Sequence, residues 1–395
     1  MVDRRPHSRQ VTVGVARAPA RAMLRAVGFE DADFDRPQVG IAAAGNDLTP
    51  CNVTLHDLAA NVAAGVRSAD AVPMRFSTVA ISDGIAMGHT GMRASLPSRD
   101  LIADSVECVM QAEQLDALVT IAGCDKSLPA MLMAAARINV AAVFLYGGTS
   151  RPGRHGGLDV TVQDVFEAVG AHAAGRITDA ELDGLERAAC PGAGSCAGMY
   201  TANTVAAEAE ALGLALPGSA TPPAATPDRI AFAEASGAAA VHLLDQGIRA
   251  RDILTRPAFE NAITTVMALG GSSNAVLHLS SIMVTATRST PGRQVIRPRP
   301  SRSTLHLVCP LFRSRDHTRL VSVRTAWSSF GGLGQGRPPS EVQAKSGLVG
   351  MSITSGCDHH VGVSSGTRTT TATTSASAKP KAPTMNVVRT PSPCM

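Results

Sequence analysis

The sequence predicts an α/β fold: a parallel sheet flanked by helices in the N-terminal domain, then a helical region and a largely irregular tail. Two patterns predict this class. Across the first 150 residues, short apolar runs ending in Gly, Asp or Asn alternate with longer segments of helical periodicity. This alternation is typical of buried parallel strands joined by crossover helices. Beyond residue 162 the periodicity is helical alone, until the composition changes near residue 280.

Each predicted element depends on its apolar period and on the residues that bound it. Four apolar runs predict strands, at Gln38–Ala44, Phe76–Ser82, Asp116–Ala122 and Val140–Tyr146. Periodic segments predict helices, at Ala18–Val27, Thr54–Ser68, Ser98–Gln114, Leu128–Ile138, Val162–Ala174, Asp179–Ala189, Met199–Leu214, Arg229–Gln246, Ile253–Leu269 and Asn274–Ile282. Ligands of open α/β sheets bind beyond the carboxyl ends of the strands, so the residues that follow these runs are the first candidates for a site.

Length and composition limit the class of protein. At 395 residues the chain is long enough for two or three domains and a large core, and 45% of its residues are hydrophobic. It has no run of about 18 apolar residues, so we expect no membrane helix and no membrane partner. Its Arg-rich first ten residues lack the apolar stretch of a secretory signal. Eight cysteines are too sparse for a disulfide scaffold, which favours a cytoplasmic location with reduced thiols available for metal or cluster ligation.

Charge and composition divide the chain into two predicted domains. Residues 1–279 hold 21 Lys and Arg against 29 Asp and Glu, a net charge of −8, whereas residues 280–395 hold 15 against 3, a net charge of +12. The second segment is rich in Ser, Thr, Arg and Pro, so we expect much of it to be disordered, with faint strand patterns at Thr304–Phe312 and Leu320–Trp327. Its basic residues follow no helical or strand period, so we expect no nucleic-acid partner.

The strongest candidate for chemistry is Cys124-Asp125-Lys126, just after the apolar run Ala117–Ile121. Lys126 is the only lysine before residue 345. Cys51 and Asp83 also lie at or just beyond the ends of predicted strands, and parallel strands deliver such residues to one rim of a sheet. A thiolate, carboxylates and an amine gathered at that rim predict a metal site.

Cys196 lies in a glycine-rich loop at the predicted start of a helix, where exposed N–H groups lower a thiol pKa. With Cys51 and Cys124 it provides three thiolates. These suit an iron–sulfur cluster with one open iron position, or a zinc ion that requires a fourth ligand; buried core cysteines are the alternative. Asp83 and Asp125 suit Mg²⁺, or serve as turn residues and helix caps.

Other motifs leave alternatives open. Lys126 suits a base, a phosphate binder or, when carbamylated, a bridging ligand. His89 either contacts a substrate or is structural, and Ser272-Ser273-Asn274 either binds an anion or caps a helix. Cys108 is predicted to belong to the core. Cys357-Asp358-His359-His360 in the tail is interpreted as a chance cluster.

Seven stretches of the chain resemble the dihydroxy-acid dehydratase and phosphogluconate dehydratase family. They are Thr49–Asn52, Ser82–His89, Leu96–Arg99, Ile102–Glu107, Gly123–Lys126, Cys196–Thr204 and Gly270–Val276. The resemblance runs from about Val13 to Leu279 and is greatest to the members that act in branched-chain amino-acid biosynthesis. It implies a hydro-lyase that converts a small 2,3-dihydroxy-3-methyl carboxylate to a branched 2-oxo acid, with a sugar-acid dehydratase of the same family as the runner-up.

The resemblance also implies cofactors and their ligands. Cys51, Cys124 and Cys196 match the ligands of a 2Fe–2S cluster, or of a 4Fe–4S cluster in some members. Asp83 and Asp125 match Mg²⁺ ligands, and Lys126 matches a lysine that is carbamylated and binds Mg²⁺. A homodimer is the expected assembly of the folded chain.

The resemblance ends before the family's second, β-barrel-like domain. That domain carries a further glutamate ligand for Mg²⁺ and a serine assigned as the base, and neither motif follows Leu279, so the catalytic base is unknown. Because the match stops inside a predicted helix, we hypothesise a frameshift near residue 280, which sequencing of the gene would test. The chain is then either a working dehydratase or an inactive remnant that keeps cluster or Mg²⁺ binding.

Overall fold

The computed structural model describes residues 2–287 and three short strands beyond them. The chain divides into two compact units, Met1–Gly292 and Arg293–Met395. The described part of the second unit is an antiparallel sheet of three strands in chain order, Leu305–Val308, Leu320–Val323 and Ser352–Thr354, and the first two fall within the two faint patterns predicted there. The predicted disorder of the tail and the Cys357–His360 cluster lie outside the described residues.

The first unit is built on a four-stranded parallel sheet in the order β2-β1-β3-β4. The strands of the chain are β1 (Gln38–Ala43), β2 (Val72–Ser77), β3 (Ala117–Ala122), β4 (Ala141–Tyr146), β5 (Gly153–His155), β6 (Leu158–Val160), β7 (Leu305–Val308), β8 (Leu320–Val323) and β9 (Ser352–Thr354). Strands β5 and β6 form a separate small hairpin. The predicted fold class, a parallel sheet flanked by helices, is therefore confirmed.

Helices cover the sheet and form the rest of the first unit. They are α1 (Arg9–Thr12), α2 (Ala18–Ala26), α3 (Leu55–Ser68), α4 (Asp83–Ala86), α5 (Ser95–Ala112), α6 (Ser127–Ile138), α7 (Val162–Ala173), α8 (Asp179–Ala189), α9 (Thr201–Leu212), α10 (Pro227–Gln246), α11 (Ala250–Ile253), α12 (Arg256–Leu269) and α13 (Asn274–Thr287). Among the described helices, none combines the length and apolar character needed to cross a bilayer.

Burial explains why three of the four predicted strands were recognisable. All six residues of β1, of β3 and of β4 are buried, because helices cover both faces of the sheet, so these strands are continuous apolar runs. Helix α6 is apolar on nearly every side for the same reason and has ten buried residues. The core of the first unit therefore lies in and around this sheet.

The predicted strand Phe76–Ser82 is wrong in its position. The strand is β2, at Val72–Ser77, and it pairs with β1 from Gln38–Val72 to Ala43–Ser77. It is an edge strand whose residues are mostly only partly buried, so its own hydrophobicity does not mark it. Asp83 consequently does not follow a strand directly; it is the first residue of α4.

The predicted helix Ile253–Leu269 begins three residues too early: the helix is α12, which begins at Arg256, and Ile253 is the last residue of the short helix α11. Thr255 lies between the two helices and caps α12, because its side chain accepts a hydrogen bond from the backbone N–H of Ala258.

Two glycines allow the close contact of α3 with α10. A Cβ atom on Gly65 would lie 1.9 Å from the Glu234 carbonyl oxygen, and one on Gly237 would lie 2.2 Å from that of Val62.

Asp116, at the entrance to β3, fastens the N-terminal segment to the sheet. Its Oδ1 accepts hydrogen bonds from the backbone N–H groups of His7 and Ser8, and its Oδ2 accepts one from that of Gln38, each at 2.9 Å. The residue is only 1% exposed, so an alanine would leave three donors without their acceptor. We expect Asp116→Ala to lower the free energy of unfolding by about 2–4 kcal/mol, measured by urea denaturation. Asp47→Ala, at an exposed position, should change it by less than about 0.5 kcal/mol.

Candidate cluster and metal site

Three cysteine-bearing loops meet beyond the carboxyl ends of the central strands. Cys51 lies between β1 and α3, Cys124 lies between β3 and α6, and Cys196 lies in the loop before α9. Cys51 and Cys124 are buried and Cys196 is half-buried. Of the residues predicted at this rim, Cys51 and Cys124 lie beyond the ends of β1 and β3, and only Cys124 follows its strand closely; Cys196 joins them from the loop before α9.

Backbone hydrogen bonds hold these loops against one another. The N–H of Gly194 donates to the Pro50 carbonyl at 2.8 Å, and that of Ser195 donates to the Gly148 carbonyl at 2.9 Å. The Ser195 hydroxyl donates to the Gly123 carbonyl. Gly123 allows the closest approach, because a Cβ atom there would lie 2.0 Å from the Cys51 carbonyl oxygen. The spacing of the cysteines is thus fixed by the backbone and not by the side chains alone.

The Cys51 thiol contacts both of the other thiols. Interaction with Cys124 first and then with Cys196, together with burial, raises the pKa of Cys51. The contact with Cys51 lowers the pKa of Cys124, and it lowers that of Cys196 to about 7. The predicted helix start at Met199 is two residues too early, since α9 begins at Thr201. The neighbouring thiol of Cys51, and not a helix N-terminus, is the largest cause of the lower pKa of Cys196.

The lowered pKa of Cys196 predicts that alkylation of metal-free protein is selective for this thiol. At about pH 7.5, Cys196 should react with iodoacetamide faster than Cys190 of the same loop, although Cys190 is the more exposed, because the thiolate is the nucleophile and burial raises the pKa of Cys190. Peptide mass spectrometry over a pH series would measure both rates. The Cys196 rate should level off above about pH 8. Faster modification of Cys190 at neutral pH would contradict the assignment.

A second polar cluster begins at the residue after Cys124. The Lys126 ammonium donates to Asp83 Oδ2 at 2.7 Å and to Asp125 Oδ1. The hydroxyl of Ser95 also donates to Asp83 Oδ2, at 2.7 Å. Asp83 and Lys126 are 6% and 7% exposed, so this ion-pair network lies almost out of water. Helices α4, α5 and α6 each begin here, which brings together residues that lie 43 positions apart in the chain.

Charge balance in this cluster explains the protonation of Lys126. Burial alone would lower its pKa, but the attraction and hydrogen bonds of Asp125 and Asp83 outweigh burial, and the pKa is raised. The ammonium therefore occupies the position between two carboxylates that a bound cation would take. With two carboxylates and one ammonium, the three side chains carry a net charge of −1.

The two clusters fit the cofactors that the sequence suggests. Within residues 2–287, no three His, Cys, Asp or Glu side chains surround one point as the ligands of a single ion do. A cluster of several atoms instead takes ligands that are spread around it, which suits the three thiols. The Oδ1 of Asp83 has no hydrogen-bond partner among the described residues, nor have the side-chain atoms of buried Asn52. A carboxylate oxygen without a partner beside a second carboxylate suits Mg²⁺.

Comparison with known proteins identifies the family. The chain matches the family model described as dihydroxy-acid/6-phosphogluconate dehydratase N-terminal over residues 36–295. The chain belongs to this dehydratase family. It is 60% identical over 277 residues to a dihydroxy-acid dehydratase of Nocardioides sp. (strain ATCC BAA-499 / JS614), which covers 70% of this chain and 49% of that protein.

Other members of the dehydratase family show a similar degree of identity to the chain. The chain is 59% identical over 287 residues to a dihydroxy-acid dehydratase of Mycobacterium tuberculosis, and 59% identical over 285 residues to one of Renibacterium salmoninarum; each match covers 71% of this chain and 50% of the relative. The chain spans about half the length of the curated relatives it matches. The family match continues past Leu279, where the motifs recognised in the sequence end, and α13 continues past it as well.

Sequence reasoning assigned no role to two residues beside the carboxylate cluster, His278 and Arg99. His278 on α13 is fully buried, with Nδ1 3.2 Å from Nη1 of Arg99 and Nε2 3.9 Å from Oδ1 of Asp125. Burial first, and then the positive charges of Arg99 and Lys126, lowers the pKa of His278 to about 3, so the ring is neutral. The available signal was a lone histidine on the buried stripe Ala275, Leu279 and Ile282 of an amphipathic helix.

The remaining candidates lie outside the two clusters. His89 is exposed, and its Nδ1 accepts a hydrogen bond from the Gly91 N–H within a local turn. Ser272 accepts from the backbone N–H of Asn274, whose side chain donates to Thr201, so this motif joins α13 to α9. Cys108 is exposed and not in the core as predicted.

Proposed function

We propose that the chain carries the metal-binding half of a dihydroxy-acid dehydratase. The reaction is the dehydration of a 2,3-dihydroxy-3-methyl carboxylate to a branched 2-oxo acid, in valine and isoleucine biosynthesis in the cytoplasm. The observation that carries the proposal is the direct junction of the two clusters: Cys124 belongs to the thiol group, and Asp125 and Lys126 belong to the buried carboxylate group. The names of the relatives supply the reaction.

The residues divide between two cofactors. Cys51, Cys124 and Cys196 would hold an iron–sulfur cluster, of the 2Fe–2S type or alternatively 4Fe–4S. Asp83, Asp125 and Lys126 would hold Mg²⁺. When bound, an iron with an open position supplies a Lewis acid for the departing hydroxyl group, and Mg²⁺ stabilises the negative charge that develops on the substrate carboxylate and C2 oxygen.

The protein's own part is to fix the charges and exclude water. Carbamylation, in which the Lys126 ammonium loses a proton and the neutral amine adds CO₂ with release of a second proton, would give an anion, and the net charge of the three side chains would change from −1 to −3. Such a group is stable in a buried position only with a cation. Asp83 and Asp125, which now accept hydrogen bonds from the ammonium, would then bind the metal ion. Ser95, which donates to Asp83 Oδ2, would keep that carboxylate oriented in both states.

The base that removes the C2 proton is not assigned. None of the six proposed ligands is free for that task, and the family's serine motif is not recognisable in this chain. We therefore keep a second candidate function: a chain that binds the cluster, Mg²⁺ or a partner subunit without turnover. The observation that favours it is that residues 280–395 carry neither the family's further glutamate motif nor its serine motif. A sugar-acid dehydratase would use the same ligands, and a homodimer is proposed for either.

Anaerobic reconstitution tests these alternatives. The full chain would be supplied with iron, sulfide and Mg²⁺, and iron content, visible absorbance and 2-oxo acid formation would be measured with 2,3-dihydroxy-3-methylbutanoate and with a sugar acid. A cluster with turnover of the branched substrate supports the dehydratase. A cluster without turnover of either substrate supports the binding remnant. Absence of both cluster and Mg²⁺ binding would contradict the ligand assignment itself.

A further inference from the structure

Helix α13 brings a buried histidine to the edge of the carboxylate cluster. His278 is 0% exposed, and Arg99 of α5, beside it, is 7% exposed. The two side chains meet at 3.2 Å between His278 Nδ1 and Arg99 Nη1, although they lie 179 residues apart in the chain. The pair therefore depends on the packing of α5 and α13 around the start of α6, where Asp125 and Lys126 lie.

The arginine fixes the tautomer of the histidine. A guanidinium group only donates hydrogen bonds, so His278 Nδ1 must be the acceptor and must carry the lone pair. The ring proton is then on Nε2. This N–H has no partner among the described residues, although its atom is fully buried. A buried donor without an acceptor is unfavourable, and such a group in a native structure requires an explanation.

The neighbouring acceptor is the proposed Mg²⁺ ligand Asp125. Nε2 lies 3.9 Å from its Oδ1, which is about 1 Å longer than a hydrogen bond. That same oxygen now accepts from the Lys126 ammonium. If carbamylated Lys126 bound Mg²⁺ instead, Asp125 Oδ1 would lose this donor, and His278 Nε2–H is the buried donor without a partner in the described part of the chain that lies 3.9 Å away.

We propose that His278 is a positioning residue for Mg²⁺: oriented by Arg99, it donates from Nε2 to Asp125 and holds that carboxylate in place as a metal ligand. The inference rests on the proposed function, because it assumes that Asp125 binds Mg²⁺. Donors behind a metal ligand fix its orientation, and their loss typically weakens metal binding by about 10–100-fold. His278 itself touches neither the substrate nor the metal in this role.

Two substitutions of His278 distinguish the role of Nδ1 from that of Nε2. His278→Asn keeps an acceptor near the Nδ1 position but has no group at Nε2, whereas His278→Gln places an amide donor near Nε2. We expect His278→Asn to weaken Mg²⁺ binding to the cluster-reconstituted full chain by about 10–100-fold, measured by calorimetry, and His278→Gln to stay within about 3-fold of the parent. The cluster absorbance and the unfolding midpoint should change little in both. In an Asp125→Asn background, His278→Asn should add no further loss.

Several outcomes would overturn the inference. The inference is wrong if folded His278→Asn binds Mg²⁺ with the parent's affinity. It is also wrong if the Asn and Gln variants lose Mg²⁺ affinity equally. If His278→Asn does not fold, the imidazole ¹⁵N shifts of the parent decide: a proton on Nδ1 would contradict the role, and a proton on Nε2 whose shift changes with Mg²⁺ would support it. A parent that binds a cluster but no Mg²⁺ removes both this inference and the Mg²⁺ assignment, whereas parent binding with unaffected variants removes only the inference.

Discussion

Replacing Cys51 by serine is expected to reduce the iron bound by the reconstituted chain by roughly 10-fold or more. Cys51 is the thiol that contacts both Cys124 and Cys196, so its loss removes the centre of the group and leaves the other two without a shared neighbour. Serine has nearly the same size, and the backbone hydrogen bonds that hold the loop do not use the side chain. The fold should therefore persist while the cluster is lost. Iron and sulfide analysis with visible absorbance would measure the effect.

The chain provides a matched control for this substitution. Cys108 is an exposed cysteine on α5, outside the three loops, and Cys108→Ser should retain the parent's iron content. Cys124→Ser should behave like Cys51→Ser. Parental iron content in both loop variants would show that the cysteines are core residues, which was the alternative left open by the sequence.

Much of the fold was predictable because burial shapes the sequence. Strands β1, β3 and β4 are covered on both faces, so each is an unbroken apolar run with a clear end. Strand β2 was misplaced because an edge strand is positioned by its pairing with β1, a long-range contact that a local pattern does not contain. Capping is local but was missed at Thr255, whose hydroxyl caps α12 and sets its start three residues after the predicted one.

For the site, the sequence predicted the residues but not the contacts between them. The six proposed ligands were named from their chemical types and from the family resemblance, and the structure brings them into two adjoining groups. What local patterns could not give was the partner of each group: that Ser95 bonds Asp83, or that Cys51 joins the other two thiols. These contacts connect separate loops and helices, so they depend on the tertiary fold.

A buried carboxyl group without a hydrogen-bond partner in the described part of the chain lies outside that site. Glu208 on α9 is 0% exposed, and neither carboxylate oxygen has a hydrogen-bond partner among the described residues. Burial therefore raises its pKa from 4.5 to about 8, and the residue is protonated in the folded protein at neutral pH. A neutral carboxylic acid in this position costs less than an unpaired anion, but it makes stability depend on pH.

Glu208→Gln is expected to remove that dependence. Below about pH 4.5 both the folded and unfolded parent hold the proton, so the variant should match the parent. As the pH rises, the unfolded parent releases its proton first, and parental stability falls until the folded carboxyl titrates near pH 8. The amide does not titrate, so above this pH the variant should be more stable by roughly 2–5 kcal/mol. Urea denaturation of the metal-free chain between pH 5 and pH 8.5 would measure the difference, with exposed Glu186→Gln as the control. Equal pH slopes in parent and variant would mean that Glu208 is ionised and paired in solution.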